Sequence, residues 1–179
     1  QDILFKKGLG FLKSLAIRSM NKEIFEVPMP NSDLTPVLLK KRSVILARFL
    51  KTFASEIEIG LDEAYLAGLL FNYGYVCSEL LYDLMPDDAL DYEENRSHYD
   101  ECASLLLSGF GFHSVVTDIV ADANKEFYES RLPFAQALLR IANETLSNTE
   151  QTSGTIGRGE MPDRTLLDAT GLRVRDRKS

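Results

Sequence analysis

Apolar residues recur at helical spacing along most of the chain, and one stretch carries them most densely. From Leu61 to Leu84 the sequence reads LDEAYLAGLLFNYGYVCSELLYDL. Tyr65, Leu69, Asn72, Val76 and Leu80 fall at i, i+4, i+7, i+11 and i+15, which is one face of a helix. No charge interrupts Ala64 to Ser78. The pattern predicts a central buried helix, with Asn72 as the one strongly polar side chain on its inward face.

The same periodicity places the other elements. Ile3, Phe5, Leu9, Leu12, Ala16 and Met20 predict an amphipathic helix over 3–20, interrupted by Gly8 and Gly10. Residues 27–33, VPMPNSD, read as a loop whose Ser32 or Asp33 caps the next helix, with Pro36 in its first turn. That helix is expected from about Leu34 to Ser55, with Leu38, Arg42, Ile45, Phe49 and Phe53 near one face. Gly60 breaks the chain and Asp62 is the expected cap of the central helix.

After Met85-Pro86 an acidic segment leads into a helix with Tyr92, Tyr99, Cys102, Ala103 and Leu106 on its core face. A turn at 108–111 and a short helix over 113–127 follow, the latter with Val115, Ile119 and Asp122 in phase. Pro133 opens another helix, on which Leu132, Ala135, Leu139, Asn143 and Leu146 share a face. Residues 147–160 are polar and glycine-rich and read as a flexible linker. A short helix over 162–170 and a basic tail complete residues 161–179, expected to pack on the same domain, whose body is 1–146. No segment shows convincing period-2 alternation. The expectation is an all-α fold, a compact orthogonal bundle of six or seven helices.

Composition narrows the function classes. The 179 residues suffice for one domain with a sizeable core. A net charge of −7 argues against nonspecific nucleic-acid binding. Charge is uneven: residues 79–101 hold nine acids against Arg96, whereas residues 1–22 and the tail RVRDRKS are basic. Solvated faces account for such runs, and a partner surface is the sharper reading. Cys77 and Cys102 lie on apolar helical faces without a CxxC pair, which reads as two core thiols in a reducing cytoplasm. No leader and no apolar run long enough to span a bilayer is apparent. The chain opens on Gln1 rather than Met, which reads as a piece of a longer protein.

Two glycine-rich stretches fail as phosphate-binding loops. Gly8-x-Gly10 lacks a preceding strand and a third glycine, and the segment 147–160 lacks the Gly-Lys-Ser/Thr ending. Four polar residues are more telling. Arg42, Asn72, Asn143 and Asp122 each sit on an otherwise apolar helical face. A buried polar group left without a partner costs about 1–3 kcal/mol, so these four are expected to meet. They form either a structural hydrogen-bond cluster or the remains of a site.

The strings RSVILARFLKTF, EAYLAGLLFNYGYVCSELL, HYDECASLLLSGFGFHSVVTDIVADA and FAQALLRIANETL together resemble the HDOD domain. That family is a degenerate branch of the HD metal-dependent phosphohydrolases. The likeness covers roughly residues 8–146, and its most specific piece is the AGLL-x-x-x-G core from Ala67 to Gly74. The family's usual first helices, upstream of Gln1, are expected to be missing. In HD enzymes two histidines and two aspartates hold a divalent cation that activates water. The resemblance sets Arg42 at the first His position, Phe71 and Asn72 at the His-Asp pair, and Asn143 at the final Asp. A later His falls near Asp122. Phe71 cannot coordinate, and Arg42 brings a fixed positive charge where a cation would sit.

The resemblance therefore implies a non-catalytic signal-transduction module of the kind found in bacterial regulatory proteins, with a vestigial metal site, no catalytic residue and no cofactor. Arg42 is expected to stand in for the metal. The expected partner is another signalling protein or domain, or a small nucleotide in the vestigial pocket; neither a membrane nor nucleic acid is expected. His98 matches a recurrent family histidine and is the one possible ligand contact outside the polar cluster. His113 is expected to cap a helix or face solvent. The competing reading is a metal-dependent phosphohydrolase acting on nucleotides or cyclic dinucleotides.

Overall fold

A computed structural model describes residues 25–30, 34–81, 92–125 and 129–152, with side chains omitted at 92–95 and 149–152. The predicted helices over 3–20 and 162–170 lie outside these residues. Six helices are described: α1 (Pro36–Thr52), α2 (Leu61–Leu70), α3 (Tyr73–Leu81), α4 (Tyr92–Gly109), α5 (Ser114–Ala121) and α6 (Pro133–Thr152). There is no strand among the described residues, and the fold is an all-α helical bundle. None of these helices is long and apolar enough to cross a membrane.

Local chemistry sets the helix ends. Thr35, rather than Ser32 or Asp33, caps α1, its hydroxyl accepting from Leu38 N at 3.3 Å. Pro36 follows in the first turn, where its missing N–H is harmless. Gly60, not Asp62, is the N-cap of α2, without a side-chain bond. Asp62 and Glu63 sit instead in the first turn, where carboxylates complement the helix dipole. His113 caps α5 as expected, its Nδ1 accepting from Val115 N at 3.3 Å.

Further expectations change. The single central helix is two, α2 and α3, separated at Phe71–Asn72. The buried stripe of α1 is Leu39, Arg42, Ser43, Leu46, Ala47 and Leu50, rotated from the predicted one, so that Ile45 faces solvent. Residues 147–152, read as linker, continue α6. Leu80 and Leu106 are also exposed, and Leu107 takes the core position on α4.

The core has two main lobes. Leu46, Leu50, Ala67, Phe71, Ile119, Leu138 and Leu139 join α1, α2, α5 and α6. Ala47, Leu69, Leu70, Cys77, Ala103, Leu107, Val116 and Val120 join α1 through α5. A smaller cluster seats Phe25, Met29 and Leu34 on Leu39 and Val76. Cys77 is a core thiol, and burial pushes its pKa up to about 12, with Cys102 and Asp100 adding to the rise. Ala67, Gly68, Leu69, Leu70 and Gly74 are all buried, so the motif most specific to the resemblance lies in the packing of the bundle. Asn72 lies at the α2–α3 junction, directly after the core residue Phe71.

Candidate functional site

Three of the four polar residues picked out by the sequence are buried outright. Arg42 on α1 is 8% exposed, Asn72 at the α2–α3 junction 5% and Asp122 at the end of α5 1%. Asn143 on α6 is half-buried. Asn72 Nδ2 donates to Asn143 Oδ1 at 3.0 Å. Two residues 71 positions apart thus meet through their amides. Phe71 beside them is only 3% exposed and belongs to the core.

Asp122 takes part in a different task. One carboxylate oxygen accepts from Arg131 N at 2.9 Å and the other lies 3.3 Å from Lys125 Nζ. Gln136, fully buried on α6, donates from Nε2 to the carbonyls of Asp122 and Lys125. Arg140 Nη1 donates to Lys125 O at 3.1 Å, and Arg131 pairs with Asp118. These bonds fasten the turn after α5 to the first half of α6, and so set where Asn143 stands. The asparagines come together as the sequence predicts. Asp122 acts as an anchor for the α5–α6 connection.

Arg42→Ala is expected to lower stability by about 3 kcal/mol, because a buried guanidinium leaves both a packing hole and unmatched polar neighbours. A urea melt superimposing on that of the unmodified protein would show that the buried guanidinium contributes nothing to the stability of the bundle.

A cleft of about 390 Å³ opens beside the asparagine pair, with Phe71, Asn143, Asn124 and Arg140 in its wall. His98 is exposed on α4 and is not among the residues lining the cleft; Arg96, two residues earlier, is. Arg96 also stacks on Tyr75, its guanidinium carbon 5.0 Å from the ring centre. Asn124 joins the cleft to a carboxylate below it, donating through Nδ2 to Asp100. Asp100 is 2% exposed, and burial raises its pKa from 3.8 to about 7 against the opposing pull of Asn124, Arg96 and Lys125.

Sequence reasoning missed Asp100, Arg96, Gln136 and Arg140. A signal existed for two of them. Asp100 lies beside Tyr99 and one turn before Ala103, on the core face of α4. Gln136 is a lone polar residue within PFAQALL. The two arginines carried no signal, because arginines on helices ordinarily face water. Among the described residues no group of three or more His, Cys, Asp or Glu side chains is placed to hold a metal ion. No protein-family model, curated protein or solved structure matches the chain.

Proposed function

We propose that this chain is a non-catalytic regulatory domain of the kind the HDOD resemblance implies, working in a reducing cytoplasm as a binding module for a signalling protein or a small ligand. The observation that carries this reading is the Asn72–Asn143 bond of 3.0 Å. At two positions where the enzymes of the superfamily need carboxylates, this chain has amides that satisfy one another. Neutral amides lack the charge that draws a divalent cation, and hard cations favour carboxylate oxygens. Phe71 supplies apolar packing where a coordinating imidazole would be needed. The Asn72–Asn143 bond and the burial of Phe71 support this reading.

The test is elemental mass spectrometry on protein purified without chelator and then incubated with manganese, iron or magnesium. The expected result is no stoichiometric metal, together with no release of product from a phosphodiester substrate. One or two tightly held ions per chain, or metal-dependent hydrolysis, would overturn the non-catalytic reading in favour of a phosphohydrolase.

A further inference from the structure

The cleft beside the asparagine pair has a chemistry of its own. Tyr75 of α3, Arg96 of α4, Asn124 after α5, and Arg140, Asn143 and Glu144 of α6 all line it. Among the described residues, the charged groups on the lining are two arginines and one glutamate. Each guanidinium is held in place by the fold. Stacking on Tyr75 orients Arg96, and the bond from Arg140 Nη1 to Lys125 O occupies one of that side chain's five donors. Asn143 presents its amide nitrogen, since its oxygen already accepts from Asn72. The wall is therefore rich in fixed donors. Guanidinium groups suit oxyanions in particular, because charge-assisted N–H···O⁻ bonds are about twice as strong as neutral ones. The volume of about 390 Å³ falls in the range of sites for small organic ligands.

We propose that this cleft binds a phosphate monoester of about nucleoside-monophosphate size, its phosphoryl group held between Arg96 and Arg140, and leaves it uncleaved. The assignment rests on the non-catalytic reading above and names the ligand class that reading left open. The two arginines stand on α4 and α6, so an occupied site ties those helices together through the ligand. Glu144, on the same wall, is placed to accept from a hydroxyl or amine elsewhere on the ligand.

The experiment is isothermal titration of the whole chain with AMP, GMP, ribose 5-phosphate and inorganic phosphate, with adenosine and guanosine as uncharged controls. Phosphorus NMR of the same mixtures follows cleavage. The expected result is saturable binding of a phosphate monoester at one site per chain, at least tenfold weaker binding of the nucleosides, and unchanged ligand after incubation. Inorganic phosphate binding as tightly as the esters would reduce the site to a bare anion site and overturn the size assignment. Arg140→Gln should weaken binding tenfold or more, whereas Arg48→Gln, an exposed arginine off the cleft, should not. Ser147→Glu puts a second carboxylate on the lining without touching the core, so it tests the same point even if Arg140→Gln fails to fold. Absence of saturable binding by all four phosphates, or affinity unchanged in Ser147→Glu, would overturn the site and leave the non-catalytic reading standing. Binding followed by release of phosphate would keep the site and overturn that reading instead.

Discussion

Gly68→Ala is expected to lower stability by about 3 kcal/mol or more, enough to unfold a marginal domain. A Cβ at Gly68 would lie 2.5 Å from Leu46 O and 2.7 Å from both Leu46 C and Ala47 Cα. All three atoms are backbone, so no rotamer change relieves the overlap. The helices α1 and α2 would have to move apart, opening the contacts that Leu46, Leu50 and Ala67 make. Against this, alanine is better than glycine in a helix by only about 1 kcal/mol. The clash wins. Gly109→Ala is the matched control, because a Cβ there meets nothing within 4 Å. In a urea melt the control should sit at or slightly above the midpoint of the unmodified protein. A Gly68→Ala curve that coincided with it would show that α1 and α2 do not cross at this glycine.

That crossing illustrates what periodicity conveys and what it leaves out. The all-α class, Pro36 at a helix start, His113 as a cap and the shared face of α6 follow from spacing and capping chemistry, which act within a few residues. The rotation of α1 does not. Its stripe of Leu39, Arg42, Ser43, Leu46, Ala47 and Leu50 includes a serine and an alanine because α2 approaches closely through Gly68. Large residues such as Ile45 are displaced to the rim. The choice depends on the partner helix, and a single helix's pattern carries no record of it. The break at Phe71–Asn72 was hidden for a related reason. The uncharged run continues through it, and Phe71 keeps αR dihedrals of −51° and −40°.

The site was legible to the extent that its residues contradicted their surroundings. Asn72 and Asn143 are polar on apolar faces, and the structure pairs them. Asp122 stood out equally, yet its role is to seat the α5–α6 connection through Arg131 and Lys125. A polar intruder signals that a bond must be made, without naming the bond. The cleft was illegible because its arginines come from α4 and α6, are 44 positions apart, and neither violates its own helix's pattern.

Asp100→Asn is expected to raise stability at pH 8 while changing it little at pH 4. Asp100 lies 2% exposed against α3, where a side chain at Gly74 would run into its Oδ1. Burial raises its pKa from 3.8 to about 7; Asn124, Arg96 and Lys125 oppose the rise, and Glu101 adds to it. Below about pH 4 the carboxyl is protonated in both folded and unfolded chains and contributes nothing. Between there and about pH 7 the folded chain holds a proton that the unfolded chain has released. Stability attributable to this group therefore falls as pH rises through that window, and the loss is complete above it. A shift of this size corresponds to about 3 kcal/mol, allowing for relaxation of the neighbours. Asparagine keeps the shape and an oxygen to accept from Asn124 Nδ2, so the variant loses the charge but not the hydrogen bond. Urea melts of both proteins at half-unit steps from pH 4 to pH 8 give the difference directly. It should grow in favour of the variant and level off near pH 8. A difference that stays flat, or grows in favour of the unmodified protein, would mean that Asp100 is ionised at acidic pH in the folded chain, with its neighbours outweighing its burial.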